Sequence, residues 1–163
     1  MPFGPVRWSH SASSSCVRVS LDRSFDFLFE KYEGPVPAWI SGPDQQAAFA
    51  AGYIDAEGSF GVYEGRARFK LDSYDAEVHA WLAAWLQTSG VGFRQRIVYR
   101  KGDARSDGES FNGDLWRTNV NESFAMLRLA ATIEPYLRHA RRRERMDAAV
   151  ANVRERLRSR AFL

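Results

Sequence analysis

The sequence predicts an α+β domain whose antiparallel sheet carries helices on one face. Three observations lead there. From residue 43 onward, segments of helical period alternate with pairs of short strands in the order α-β-β-α-β-β-α-α, two αββ units followed by trailing helices. Each strand pair is joined by a local turn or polar loop, so each closes as a hairpin and the sheet is antiparallel. Within the strands, apolar residues alternate with basic ones, which gives one face to a core and leaves the other to an anionic surface.

The first helix occupies Gln45 to Glu57, a stretch without proline, with Asp44 as its expected N-cap and Gly58 as its end. Ser59 to Tyr63 and Arg66 to Asp72 follow as strands joined at Glu64-Gly65. In the second, Ala67, Phe69 and Leu71 alternate with Arg66, Arg68 and Lys70. Asp75 caps a second helix in which Val78, Trp81, Leu82 and Trp85 recur at helical spacing, and Gly90 stops it. A third strand, Val91 to Arg100, sets Phe93, Gln95, Ile97 and Tyr99 against Arg94, Arg96 and Arg100. A polar loop, GDARSDGESFNGD, leads to a fourth strand at Leu115 to Val120. Asn121 is the expected cap of a third helix running to Pro135, and the last helix aligns Met146, Val150, Val153 and Leu157. Trp81, Trp85 and Phe124 are expected in the core.

Composition narrows the function classes. A chain of 163 residues with 45% hydrophobic and 13% aromatic residues has the material for one globular domain and a tail. No apolar run approaches the about 18 residues a membrane span needs, so no membrane partner is expected. Cys16 is the sole cysteine and His10, His79 and His139 are scattered, which excludes internal disulfides and a Cys-rich zinc site. Cytoplasm is the default setting. The net charge of +3 gathers at Arg66, Arg68 and Lys70, at Arg94, Arg96, Arg100 and Lys101, and from Arg138 to Arg160. Such clustering suits phosphate binding, and a solvated surface shares the pattern. Residues 1–42 read as an appendage: Ser-rich near the start, turn-rich at GPVPAWISGP, with a short helix expected within Leu21 to Tyr32. Met1 to Ser20 contains no acidic residue and has the composition of an organellar transit peptide as well as of a disordered tail.

The stretch FAAGYIDAEG poses a specific problem. Asp55 and Glu57 close a helix whose C-terminus already carries partial negative charge. Ala48 and Gly52, with Ala47 and Ala51 beside them, have two readings: an alanine-rich core helix, or a face that lets two helices approach closely. Close approach would bring Glu57 near its twin on a second chain. Two carboxylates so placed repel unless a divalent cation lies between them, and Mg2+ prefers carboxylate, water and phosphate oxygens.

AAGYIDAEG, Ala50 to Gly58, resembles the signature of the LAGLIDADG homing endonucleases. The element order agrees, as do SGVGF (Ser89 to Phe93) and IEPYLR (Ile133 to Arg138), so the resemblance runs from Asp44 to Val150. It implies the αββαββα fold with a saddle-shaped antiparallel sheet over residues 43–163. It implies a site-specific endonuclease that hydrolyses double-stranded DNA with Mg2+ or another divalent cation such as Mn2+, carried in an intron or intein. One copy of the motif implies a homodimer acting on a near-palindromic site. Ala48, Ala51, Gly52 and Asp55 would line the dimer interface, and Glu57 would be the metal ligand. Arg66, Arg68, Lys70, Arg94, Arg96, Arg100 and Arg117 would contact DNA. The family carries a lysine shortly after the PYL segment, and here that position is Ala140. Arg138 and Arg141, or Arg142, would supply the positive charge, although arginine does not exchange a proton near neutral pH. The departure bears on cleavage more than on binding. The alternative function is therefore a cleavage-deficient nucleic-acid-binding protein on the same fold, either a DNA-binding regulator or a maturase-like splicing factor that takes RNA. A third reading is a structural dimerisation module built on the first helix.

Overall fold

A computed structural model describes residues 7–10, 15–18 and 36–161, with side chains from 36 to 159. The chain divides into two units, Met1–Glu33 and Gly34–Leu163. In the first, β1 (Arg7–His10) and β2 (Ser15–Arg18) pair antiparallel, with Arg7 opposite Arg18. This hairpin was not expected of the Ser-rich segment. The helix anticipated within Leu21 to Tyr32 lies outside the described residues.

The second unit runs α1 (Pro43–Glu57), β3 (Gly58–Tyr63), β4 (Arg66–Ser73), α2 (Ala76–Thr88), β5 (Arg94–Tyr99), β6 (Leu115–Val120), α3 (Ser123–Ile133) and α4 (Ala140–Ala161). This is the anticipated order. All neighbours in the sheet are antiparallel and the strand order is β3-β4-β6-β5, so two hairpins meet along their second strands. Among the described residues, no helix is long and apolar enough to cross a membrane.

The local signals acted largely as read. Glu64 and Gly65 both take positive φ, 50° and 70°, the two-residue turn whose twist matches a hairpin. Asp75 Oδ1 accepts the Val78 N–H at 3.1 Å and caps α2. Two caps differ. The N-cap of α1 is Gly42, because Pro43 presets the first helical φ and Gln45 Oε1 accepts the Gly42 N–H at 3.1 Å. Asp44 instead sits in the first turn, where its carboxylate holds the Tyr136 pKa above its ordinary value. The N-cap of α3 is Glu122 rather than Asn121, and it makes no side-chain cap.

The core lies between the sheet and its helices. Ile54, Phe60, Phe69, Leu71, Leu82, Leu86, Met126, Leu129, Ile133 and Leu137 are buried there. Burial of each such side chain stabilises by ~1.5–3 kcal/mol relative to exposure. Trp85 is buried, as expected, and stacks on Trp81, which is half-buried against the core rather than within it. Phe124 is 66% exposed and not in the core. The buried stripe of α3 is Ala125, Met126, Leu129, Ala130 and Ile133, and Phe124 falls one position off it.

Candidate nucleic-acid interface

The sheet face away from the core is set out by the register. Ser59, Lys70, Asn119 and Arg94 lie opposite one another in a row across four strands. The next row holds Asp72, Arg117 and Arg96, and toward the β3–β4 turn Gly61 faces Arg68 and Tyr63 faces Arg66. Side chains two apart share a face, so these rows form one surface. Arg66, Arg68, Lys70, Arg94 and Arg96 are exposed on it. Among the described residues of these rows Asp72 is the one carboxylate. Open depressions mark the surface, among them one of ≈ 490 Å3 lined by Arg94, Gln95, Arg96, Asn119 and Asn121, and one of ≈ 240 Å3 lined by Ser59, Tyr63, Arg68, Lys70, Arg117 and Asn119.

The seven basic residues anticipated here have different circumstances. Arg66, Arg94 and Arg96 have no acidic partner among the described residues. Arg68 reaches Glu64 at 3.7 Å at exposed surface, where such a pair contributes about 0–1 kcal/mol, and the exposed Lys70 reaches the half-buried Asp72 at 3.8 Å. Arg117 is not free: its Nε and Nη2 donate to Asp72 Oδ1 and Oδ2, each at 2.6 Å. That hydrogen bond raises the Arg117 pKa above its ordinary value. Arg100 lies beyond β5, in a turn where its N–H donates to Asp103.

Tyr99 corrects the expected pattern of β5. A register shift between Ile97 and Tyr99 places Tyr99 opposite Leu115, on the Arg117 side of the sheet rather than with Ile97 and Gln95. There it stacks on Phe111 at 4.3 Å, and the Arg105 guanidinium lies 5.6 Å from the same Phe111 ring. The polar loop is thus an ordered arm. Asp114 accepts the Lys101 N–H, and Ala104 bridges Ser110.

At one end of β3 lies the C-terminus of α1. The chain passes from Glu57 directly into β3, so the acidic helix end and the basic face are contiguous. Glu57 is exposed. Asp55 Oδ2 accepts the backbone N–H groups of Arg138 and His139 at 2.7 and 3.2 Å, while Asp55 Oδ1 is buried without a partner. Asp55 is therefore tied to the start of its own α4 rather than offered to a second chain. Arg142 donates from Nε to Asp55 O and from Nη2 to Ala56 O, both at 3.3 Å, and so covers the carbonyls of the α1 end. Of Arg138, Arg141 and Arg142, it is Arg142 whose side chain reaches this end. Sequence reasoning weighed it but did not place it at the site, since a contact 87 residues apart leaves no periodic signal. Nearby, the Tyr53 hydroxyl meets Ser73 Oγ at 2.6 Å. Burial pushes that hydroxyl's pKa up, and the charges of Asp75 and Glu57 add to the effect.

The small residues of α1 separate into two sets. Ala51 is fully buried in the chain's own core, which removes it from the expected dimer interface. Ala48 and Gly52 are exposed, and a Cβ at Gly52 would meet nothing within 4 Å. A glycine inside a helix costs about 0.5–1 kcal/mol against alanine, and nothing among the described residues requires it.

Among the described residues no three His, Cys, Asp or Glu side chains gather as a metal cage. Glu57 is nonetheless the donor type that Mg2+ takes, since that ion is held through one or two carboxylates together with water and phosphate oxygens. Glu57 supplies one carboxylate of that kind.

No protein-family profile and no curated protein sequence matches the chain. Solved structures do. The homing endonuclease I-CvuI in complex with its target is similar over 69% of this chain and 68% of its own, with 17% identity and a TM-score of 0.48. The same enzyme on another target, with magnesium and the DNA not cleaved, gives 19% identity and 0.44, covering 68% of each chain. An archaeal intron-encoded homing endonuclease complexed with DNA gives 20% identity and 0.39, over 58% of this chain and 57% of its own. Each of these three solved chains is a homing endonuclease.

Proposed function

We propose that the chain is a LAGLIDADG-type, site-specific endonuclease that acts on double-stranded DNA as a homodimer and requires a divalent cation. The observation that carries this reading is contiguity: the exposed Glu57 carboxylate stands where α1 enters the first strand of a basic sheet face. A twisted antiparallel ribbon fits the major groove, where Arg66, Arg94 and Arg96 are available for phosphates and base edges. The exposed Ala48–Gly52 stripe allows a second α1 to approach, which would bring two Glu57 carboxylates together at the two-fold axis. Glu57 would hold the cation against a scissile phosphate, and the bound ion supplies an activated water and neutralises the leaving oxygen. Arg142 keeps the adjacent carbonyls covered and Asp55 anchors α4, so the end of α1 is fixed before DNA arrives. Arg138, just ahead of α4, and Arg141, in its first turn, flank Ala140 and supply charge there.

One observation favours a second reading, binding without cleavage. Ala140 opens α4 where the family carries lysine, and Arg142 is already engaged with backbone carbonyls. The test is a Mg2+-dependent nicking assay on a duplex selected by the protein, with Glu57→Gln as the control. The endonuclease reading expects cleavage that the substitution abolishes while affinity stays within about tenfold, because a metal ligand and not a phosphate contact is removed. Binding without nicking in the unmodified protein selects the second reading. Equal cleavage by the Gln variant removes Glu57 from the site.

A further inference from the structure

We propose that Asp72 and Arg117 form a base-reading unit, in which Asp72 holds one edge of the Arg117 guanidinium so that the other edge reads a guanine. The inference rests on the DNA-binding reading above and assigns a specificity-determining pair within it. The fork is bidentate, from Nε to Oδ1 and from Nη2 to Oδ2, at 2.6 Å each. A guanidinium has five N–H donors in a plane, and this arrangement uses two. The end of the fork, with the Nη1 donors and the second Nη2 donor, remains open. Two parallel donors there match the O6 and N7 acceptors that guanine presents in the major groove.

Position on the sheet decides between a base and a phosphate. Asp72 faces Arg117 across β4 and β6, and Arg96 faces Arg117 from β5, so the pair lies within the rows of the basic surface. Lys70 stands 3.8 Å from Asp72 Oδ2. A phosphate drawn to Arg117 would lie beside the Asp72 carboxylate and be repelled by it. A neutral base edge would not. A carboxylate placed here lowers affinity for any sequence and raises the contrast between sequences, since it stops Arg117 from swinging to the backbone. The competing account is a strut that offsets the repulsion between Arg96 and Arg117. A strut would leave sequence preference alone.

The experiment is selection of duplexes from a randomised library by the full chain in EDTA, so that no strand is cut. It is repeated with Asp72→Asn and Arg117→Ala, with a thermal midpoint for each protein. The unmodified chain is expected to recover a site with a G·C pair fixed at one position in each half. Both variants should lose that preference by about 5- to 150-fold at that position and keep the rest of the site. Asp72→Asn should also bind random duplex about threefold or more tighter and steepen the slope of log K against log salt by about one, as an arginine returns to phosphate. Should Asn disturb the fold, Asp72→Ala provides the same reading without a competing hydrogen bond. Retention of the guanine preference in both variants overturns the pair and leaves DNA binding standing. So does a steep salt slope with no sequence recovered. No duplex bound at any salt overturns both readings.

Discussion

Asp55 in the last turn of α1 accepts the backbone N–H of Arg138, at 2.7 Å, just ahead of α4. An acid at a helix C-terminus opposes the dipole of its own helix, but here it meets the N-terminal end of another, where negative charge is favoured. His139 adds a second N–H, and Arg142 returns a positive charge to the carbonyls of Asp55 and Ala56. One of the two acids that made the sequence puzzling is thus neutralised within the chain. Glu57, the other, is exposed at the helix end.

Asp55→Ala is therefore expected to destabilise the fold by ~1–2 kcal/mol, the scale of a lost cap that leaves two N–H groups without an acceptor. Asp55→Asn keeps an acceptor oxygen and should lose less. Urea unfolding at constant slope measures both. An Ala variant as stable as the parent would show that the junction is held by packing alone.

His79 predicts a pH dependence of stability. The ring is buried, Nδ1 lies 2.9 Å from Thr118 Oγ1, and Gln95 Nε2 donates to Thr118 Oγ1 and to the His79 carbonyl, both at 2.9 Å. The other ring nitrogen, Nε2, is buried without a hydrogen-bond partner. Burial lowers the His79 pKa, against the opposing pull of the Asp75 and Asp72 charges. The sign follows. Above the unfolded value of about 6.5 both states are neutral and the full stability is present. Below it the unfolded chain takes a proton that the folded chain refuses, so stability falls as pH drops from there through the folded pKa. His79→Gln should flatten this part of the profile between pH 7.5 and 5.5 by urea unfolding. Parallel profiles for the two proteins would exclude His79 as the cause.

How much was legible in the sequence follows from the range of each signal. The alternation Arg66-Ala67-Arg68-Phe69-Lys70-Leu71 is local, and the structure places its basic members outward as read. Tyr99 was assigned to the wrong face because a bulge adds one residue without marking the sequence. Ala48, Ala51 and Gly52 look alike in composition. Which of them face outward depends on where the helix is rotated against Phe60, Phe69 and Met126, all supplied by other elements. The Asp72–Arg117 pair joins residues 45 apart across strands that are not consecutive, so it required the sheet order and not the pattern of either strand.

The contrast within α1 gives a test of assembly. Ala48→Leu and Gly52→Leu project from an exposed stripe and should convert a dimer into a folded monomer in sedimentation. Replacing Gly52 should also raise the monomer's helix stability by about 0.5–1 kcal/mol, because glycine is a poor helix residue. Ala51→Leu instead overfills the core and should destabilise the chain by ~1–3 kcal/mol whatever its oligomeric state. Sedimentation as a monomer by the unmodified protein, with and without DNA, would remove the shared two-fold site.

Ala140→Lys tests the position at which the sequence departs from the pattern it otherwise resembles. Ala140 is the first residue of α4 and is exposed, adjacent to the His139 N–H that Asp55 accepts. A lysine there meets no packing obstacle. It stands at a helix N-terminus, where a positive charge costs about 0.3–1 kcal/mol, so the thermal midpoint should fall slightly. If the absent lysine limits the chemical step, the single-turnover rate at saturating protein and Mg2+ should rise by about 10- to 100-fold, the scale of one acid–base or electrostatic group. Affinity should change little, since one added charge supplies at most one phosphate contact. Arg141→Ala is the clean companion, because Arg141 is exposed and makes none of the structural hydrogen bonds that Arg142 makes. A fast unmodified enzyme that loses its rate on Arg141→Ala and gains nothing from Ala140→Lys would assign the lysine's task to that arginine. A slow enzyme indifferent to both substitutions would place the limiting step elsewhere, in assembly or in the engagement of DNA by the basic face.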